Sequence, residues 1–185
     1  DAVNVDLTNQ LEAIKRFQAV IEFNVDGTVI TANENFCKAL GYSLSEIQGK
    51  HHRMFCETEY TRSREYSDFW ANLNRGDFQA ADYKRIAKGG REIWISASYN
   101  PICDASGKVI KVVKFASEIT DRIRLQAAAA EKTAIVENAP INIMLADANG
   151  TIIYINPASM RTLRQIERLL PIRPDQVVGA SMDIF

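Results

Sequence analysis

The 185-residue chain is 46% hydrophobic and 24% charged, proportions of a folded globular protein that exclude a disordered or collagen-like one. Its 22 Lys and Arg face 23 Asp and Glu, a formal charge of −1, so nucleic acid is not expected as a partner. The longest apolar runs have four residues, such as Ile152 to Ile155, where a membrane-spanning helix needs about 20.

Length allows one domain or two small ones, at roughly 150 residues per domain. The polar start, Asp1 to Gln10, does not read as a signal peptide. Cys37, Cys56 and Cys103 lack CxxC spacing, and they predict reduced, buried thiols of a cytoplasmic protein.

An N-terminal helix is expected over residues 1–18. Its pattern begins at Thr8, with Leu11, Ile14 and Phe17 on one face. Two β-branched runs around Asp26-Gly27 predict a hairpin. Residues 33–40 read as a short helix stopped by Gly41, and Ser43 caps a second over 44–47. From 59 to 74, Tyr60, Tyr66, Phe69, Trp70 and Leu73 recur at helical spacing and predict one helix. Three strands follow, at 78–86, 92–102 and 108–116, and then a helix over 121–138.

The chain repeats itself. Asp26-Gly27-Thr28-Val29-Ile30 returns as Asn149-Gly150-Thr151-Ile152-Ile153, and Asn33 as Asn156, all 123 residues on. Ile47-Gln48-Gly49 and Phe55 return as Val177-Val178-Gly179 and Phe185, now 130 on, so the second copy carries seven extra residues around 167–174. A repeat this long predicts tandem domains rather than a solenoid.

The motifs carry a resemblance. They are Asn24-Val25-Asp26-Gly27-Thr28, Asn33-Glu34-Asn35-Phe36, Leu40-Gly41-Tyr42-Ser43, Glu46-Ile47-Gln48-Gly49, Phe69-Trp70 and Gly76-Asp77-Phe78. Arg85 through Trp94, Tyr99 through Asp104 and Glu118 through Arg122 continue the set. In this order they resemble the PAS domain. The resemblance covers 19–122 in full and 139–185 as the N-terminal part of a second, incomplete copy, with 123–138 as a helical linker. The run His51-His52-Arg53-Met54-Phe55 is similar to PAS modules of bacterial methyl-accepting chemotaxis proteins of the aerotaxis-like kind. The resemblance implies an α+β fold, with a five-stranded antiparallel sheet and short helices on one side. It also implies a cytoplasmic sensory input module in a homodimer, acting on a downstream chemoreceptor signalling domain. The other class it allows is a cofactor-free interaction module that mediates dimerisation.

Strand alternation puts Ile93, Ile95, Ala97 and Tyr99 on one face of the 92–102 strand and Trp94, Ser96, Ser98 and Asn100 on the other. The resemblance turns the first set toward a pocket. The pocket candidates are then Phe36, Leu40, His52, Phe55, Phe69, Trp70, Arg85, Ile95, Ala97 and Tyr99. Flavin-binding relatives place an Asn where Arg85 stands and, in the light-sensing kind, a Cys where His52 stands. Covalent flavin chemistry is therefore not expected. FAD without a covalent bond stays open. Haem needs an axial ligand, for which His51 and His52 are the candidates. Adjacent side chains diverge, so at most one points inward; the plainer alternative is that one caps or packs and the other is solvated. Haem is also possible in a complete second domain. A cofactor-free first domain is the expectation.

No triad, dinucleotide loop or P-loop is written here, and an enzyme is not expected. Glu57, Glu59 and Glu65 read as a charged helix start rather than a metal site, and Lys84, Arg85 and Lys88 as a solvated strand edge. Signal is expected to leave through Glu118, Ile119, Thr120 and Asp121, where strand becomes helix.

Overall fold

A computed structural model describes residues 2–185; the side chains of Thr8 and Leu11, two residues of the N-terminal helix pattern, lie outside the described set. Helix α1 runs Ala2–Phe17, so it begins before Thr8. The hairpin forms as β1, Ala19–Phe23, and β2, Val29–Ala32. Gly27 makes the turn at φ +85°, a conformation a side chain would oppose.

Helix α2, Glu34–Leu40, starts at Asn33, whose side chain accepts from the Phe36 amide, and stops at Gly41 in the left-handed region. Helix α3 is Leu44–Ile47, with Glu46 bonded back to the Ser43 amide. A 3-10 turn over His52–Phe55 has no periodic signature in the sequence.

The helix expected over 59–74 is two helices, α4 at Thr58–Thr61 and α5 at Arg64–Asn74. Ser63 causes the break: its hydroxyl donates to the Tyr60 carbonyl and accepts from the Tyr66 amide, ending one helix and capping the next.

Strands β3, Gln79–Ile86, β4, Glu92–Cys103, and β5, Val109–Glu118, complete an antiparallel sheet in the order β2-β1-β5-β4-β3. In register, Tyr99 of β4 faces Lys114 of β5, Lys114 faces Ile21 of β1, and Arg85 of β3 faces Ile93 of β4. One face of the sheet packs on the short helices. Its core gathers Phe23, Phe36, Phe55, Phe69, Trp70, Leu73, Ile93 and Tyr99. Each such side chain contributes about 1.5–3 kcal/mol of transfer free energy.

The chain divides into two compact units, one up to Ile123 and one from Arg124. Helix α6 spans Thr120–Asn138, so most of the expected linker counts with the second unit. That unit pairs β6, Met144–Ala146, with β7, Ile152–Ile155, and caps α7, Pro157–Gln165, with Asn156. Ile152, Leu163 and Val177 form its small core. The repeat is visible in the hydrogen bonds. Asn24 N donates to Thr28 O at 2.8 Å, and Asp147 N to Thr151 O at 2.9 Å. The single bridge between Thr28 and His51 has its counterpart between Thr151 and Ser181.

Among the described residues no helix is long and apolar enough to cross a membrane. Cys56 is buried and Cys37 half-buried, but Cys103 is exposed, contrary to expectation, because it ends β4 at the turn beyond the core.

Candidate functional site in the interior of the first unit

All ten pocket candidates, Phe36, Leu40, His52, Phe55, Phe69, Trp70, Arg85, Ile95, Ala97 and Tyr99, are buried in the first unit. Ile95, Ala97 and Tyr99 come from the inner phase of β4, and Trp94 on the other phase is half-buried. Phe36 and Phe55 meet edge to face with ring centroids 5.4 Å apart.

His52 is the polar centre. The 3-10 turn points it inward while His51 takes the capping position, its Nδ1 accepting from the Arg53 amide at 3.1 Å. Nδ1 of His52 lies 3.0 Å from the Tyr66 hydroxyl and Nε2 2.9 Å from the Tyr99 hydroxyl. Arg85 Nη2 donates to that same Tyr99 oxygen at 3.1 Å. The arrangement is satisfied when the Tyr99 hydroxyl donates to Nε2 and the Nδ1–H donates to Tyr66, which assigns a neutral imidazole. Burial, and then the cations Arg85 and Lys114, hold the His52 pKa well below the usual histidine value. Burial also raises the Tyr66 phenol to about 12 and drives that of Tyr99 up. The Cys56 thiol lies 3.7 Å from His52 Nδ1, and burial raises its pKa too.

Arg85 is 3% exposed, so it is an interior residue and not part of a solvated edge. It lies in the inner phase of β3 and its guanidinium packs over the Tyr83 ring at 4.5 Å. Lys84 points outward to Glu57 and Glu92, and Lys88 pairs with Glu46 at the surface. Lys114, 1% exposed, escaped the sequence reading. Its Nζ sits 4.8 Å from the centre of the Tyr99 ring. Its inner-phase position between Val112 and Ala116 was the available signal. Tyr66 and Cys56, which complete the shell of His52, were also missed as site residues.

Aromatic faces take the place of carboxylates around these two cations. No Asp or Glu is buried among the described residues. The buried side-chain nitrogens without a hydrogen-bond partner there are Trp70 Nε1 and Arg85 Nε.

These contacts bear on haem and flavin. Neither ring nitrogen of His52 is free to ligate iron, and His51 Nε2 is packed at Gly27. A flavin edge would meet a donor-only guanidinium at Arg85 instead of an amide that both donates and accepts. Phe23, Phe69, Trp70 and Tyr99 fill the centre with rings in mutual contact. The residues present fit neither group. Nor does any group of His, Cys, Asp or Glu among the described residues fit a metal ion.

At the far end of the same strand, Thr120 joins sheet to helix. Its hydroxyl accepts from the Trp94 amide at 3.0 Å and donates to Glu118 Oε1 at 2.8 Å, and Ile119 N donates to Trp94 O at 2.8 Å.

A five-stranded antiparallel sheet in this order, with short helices enclosing its inner face, defines the PAS fold. The chain carries two PAS domains: the family model described as PAS fold matches residues 29–116, and a PAS domain model matches 130–182. Over 126 residues it is 43% identical to the biofilm dispersion protein BdlA of Pseudomonas aeruginosa, covering 68% of this chain and 30% of that protein. It is 28% identical to the aerotaxis receptor of Escherichia coli over 49% of this chain and 17% of the receptor. The chain thus spans less than a third of either relative. Among solved structures, a PAS domain from Colwellia psychrerythraea superposes with a TM-score of 0.55 at 20% identity, covering 63% of this chain and 98% of that one. An RNA-binding light-oxygen-voltage receptor gives the same TM-score at 19% identity, covering 63% of this chain and 34% of that one. These structural likenesses concern the fold.

Proposed function

We propose that this chain is the sensory input segment of a chemotaxis-type receptor, working in the cytoplasm upstream of a signalling domain. The first PAS domain senses a small ligand and relays its presence through Glu118, Ile119, Thr120 and Asp121 into α6. The observation that carries this reading is the position of β4. Its inner phase supplies Tyr99 to the polar centre, and its Trp94 peptide group holds Ile119 and Thr120. A shift of the strand that a ligand brings about is therefore felt where α6 begins. The names of the two relatives, one a biofilm dispersion protein and one an aerotaxis receptor, support a sensor over an enzyme.

The test is a pair of spin labels, one on the sheet and one on α6, with distances measured before and after ligand addition. Movement of the helix is expected. In Thr120→Val the movement should be altered while ligand affinity stays nearly unchanged. Equal loss of both assigns Thr120 a folding role only.

One observation favours a second reading, dimerisation alone. Ile14 and Phe17 on α1 are exposed, and Ile14 borders an open groove of about 620 Å³ over the outer face of the sheet, lined by small residues such as Ala80, Ala81, Ser96 and Ser98. A homodimer through α1 would cover them. Light scattering on the chain with and without residues 1–18 separates the two cases, since a dimer lost on truncation with no ligand-driven helix movement leaves only the interaction module.

A further inference from the structure

Two cations in the first PAS domain are buried without a counter-ion. Arg85 and Lys114 are 3% and 1% exposed, and no carboxylate is buried with them among the described residues. A guanidinium stays protonated in a protein, so at least one full charge lies in the interior. Burying an unpaired charge is unfavourable unless a partner compensates it. The neutral Tyr99 stands between the two, its oxygen taking a hydrogen bond from Arg85 and its ring lying under Lys114. The Arg85 Nε–H, also buried, has no acceptor at all.

Resting on the sensor reading above, we propose that the ligand is a small oxyanion, a short carboxylate or an inorganic oxyanion. It is held by the Nε–H of Arg85 and the Nζ of Lys114, with the Tyr99 hydroxyl as the neutral group that occupies part of its place. The Arg85 donor carries charge, and an oxyanion offers two acceptor atoms to two separate donors. No covalent step is involved. Burial, then repulsion by Arg85, drives the Lys114 pKa well down, and an anion beside it opposes both effects.

The anion would enter from the strand edge, beside Arg85. An open groove of about 310 Å³ is lined by Tyr60, Tyr83 and Arg85 among others. Of the acids on this groove, Glu57 is bound to Lys84 and Asp82 to Arg122, while Glu65 also lines it. The pairing of Glu57 and Asp82 leaves the buried cations to set the preference once an anion has passed the rim.

The test is calorimetric titration of the 185-residue chain with sodium acetate, lactate, nitrate and phosphate. Sodium chloride at matched ionic strength is the control. Each is taken to about 50 mM to reach millimolar dissociation constants. Saturable one-to-one binding of at least one oxyanion is expected, with a rise in melting temperature. Arg85→Gln and Lys114→Met should each weaken it at least tenfold. Lys114→Met keeps the chain folded, because it replaces a buried unpaired charge with an apolar side chain of similar length. Circular dichroism verifies this, and if Arg85→Gln fails to fold, Lys114→Met alone decides. No saturable binding by any of the four, or equal binding by wild type and Lys114→Met, overturns the oxyanion site. A neutral compound that moves α6 would then leave the sensor reading standing. An oxyanion that binds as expected while α6 stays still would retain the site and sink the relay.

Discussion

Asn33 and Asn156, 123 positions apart, make the same hydrogen bonds in their two domains. Asn33 Oδ1 accepts from the amides of Val20 and Phe36, and Asn156 Oδ1 from those of Ile143 and Ser159, each partner again 123 positions on. The amide nitrogens donate to carbonyls at the end of the preceding helix or just beyond it. For Asn33 these include Lys15 and Gln18; for Asn156, Val136 and Ile141. One side chain thus joins an incoming helix, a hairpin strand and the next helix.

Replacing either Asn by Ala should destabilise its own domain by about 1–3 kcal/mol, the cost of a lost cap plus unsatisfied buried groups. Substitution by aspartate separates the two halves of the role. Asn33→Asp and Asn156→Asp each keep the acceptor and lose the donor, so Asn33→Asp should retain α2 while loosening the end of α1. Hydrogen exchange at Phe17 and Gln18 reads this, and unchanged exchange there would show that the carbonyl contacts hold nothing in place.

A pH dependence follows from His52. The unfolded chain takes up a proton near pH 6.5, while the folded His52 pKa lies well below that. Below about pH 6.5 the unfolded state therefore binds more protons, and stability falls as pH falls until the folded group titrates. The slope is about 1.4 kcal/mol per pH unit for one full proton. Arg85 on β3 and Lys114 on β5 face the ring, with His51 beside it, Tyr66 on α5, Tyr99 on β4, and Cys56 in the same turn. Urea unfolding at about pH 7 and 5.5 should show the loss. His51 and Lys114, whose burial also lowers their pKa values, add to the slope in the same sense. His52→Gln should therefore reduce it, and a slope unaltered by that change would assign it to those groups.

Tyr99→Phe should cost more than Tyr66→Phe. Loss of the Tyr99 hydroxyl leaves both His52 Nε2 and Arg85 Nη2 without their partner, while Tyr66 serves His52 Nδ1 alone among these donors and acceptors. The expected penalties are about 2–3 and about 1 kcal/mol. A double-mutant cycle between Tyr99 and Arg85 measures their coupling; additive effects would place them in separate networks.

Gly27→Ala should be worse than Gly150→Ala, although both glycines occupy the same turn of the repeat at φ +85° and +77°. A Cβ at Gly27 would come within 2.8 Å of His51 Nε2, and one at Gly150 meets the flexible Met182 side chain at 3.5 Å. Both changes incur the left-handed backbone cost, about 1–2 kcal/mol, and the first adds a steric one. Equal penalties, measured on each domain's unfolding transition, would show that His51 simply moves aside.

Much of the architecture was legible because it is local. The Asp-Gly turn, the stop at Gly41, the cap at Ser43, and the alternation of Ile93, Ile95, Ala97 and Tyr99 are each written within a few residues. Ser63 was not legible as a break, since the aromatic spacing from Tyr60 to Leu73 continues across it. Arg85, read both as a pocket candidate and as part of a solvated edge, and Lys114, missed altogether, were hard to place for a different reason. Charge is an outward signal by composition, and only the phase of the strand and the aromatic rings from distant positions reveal it as inward. His52 was recognised as a candidate, but its partners lie 14 and 47 residues away.

The contacts made by Asn33 and Asn156 to the helices before them go to main-chain oxygens, an attachment blind to side-chain identity. Helix α1, with its Lys15-Arg16 end, and the alanine-rich α6 share no sequence to speak of, yet each is gripped the same way. A domain fitted with such a socket accepts whatever helix is spliced ahead of it. The surface of that helix is then free to diverge for other duties, and copies can be strung in series without a new joint having to be invented for each.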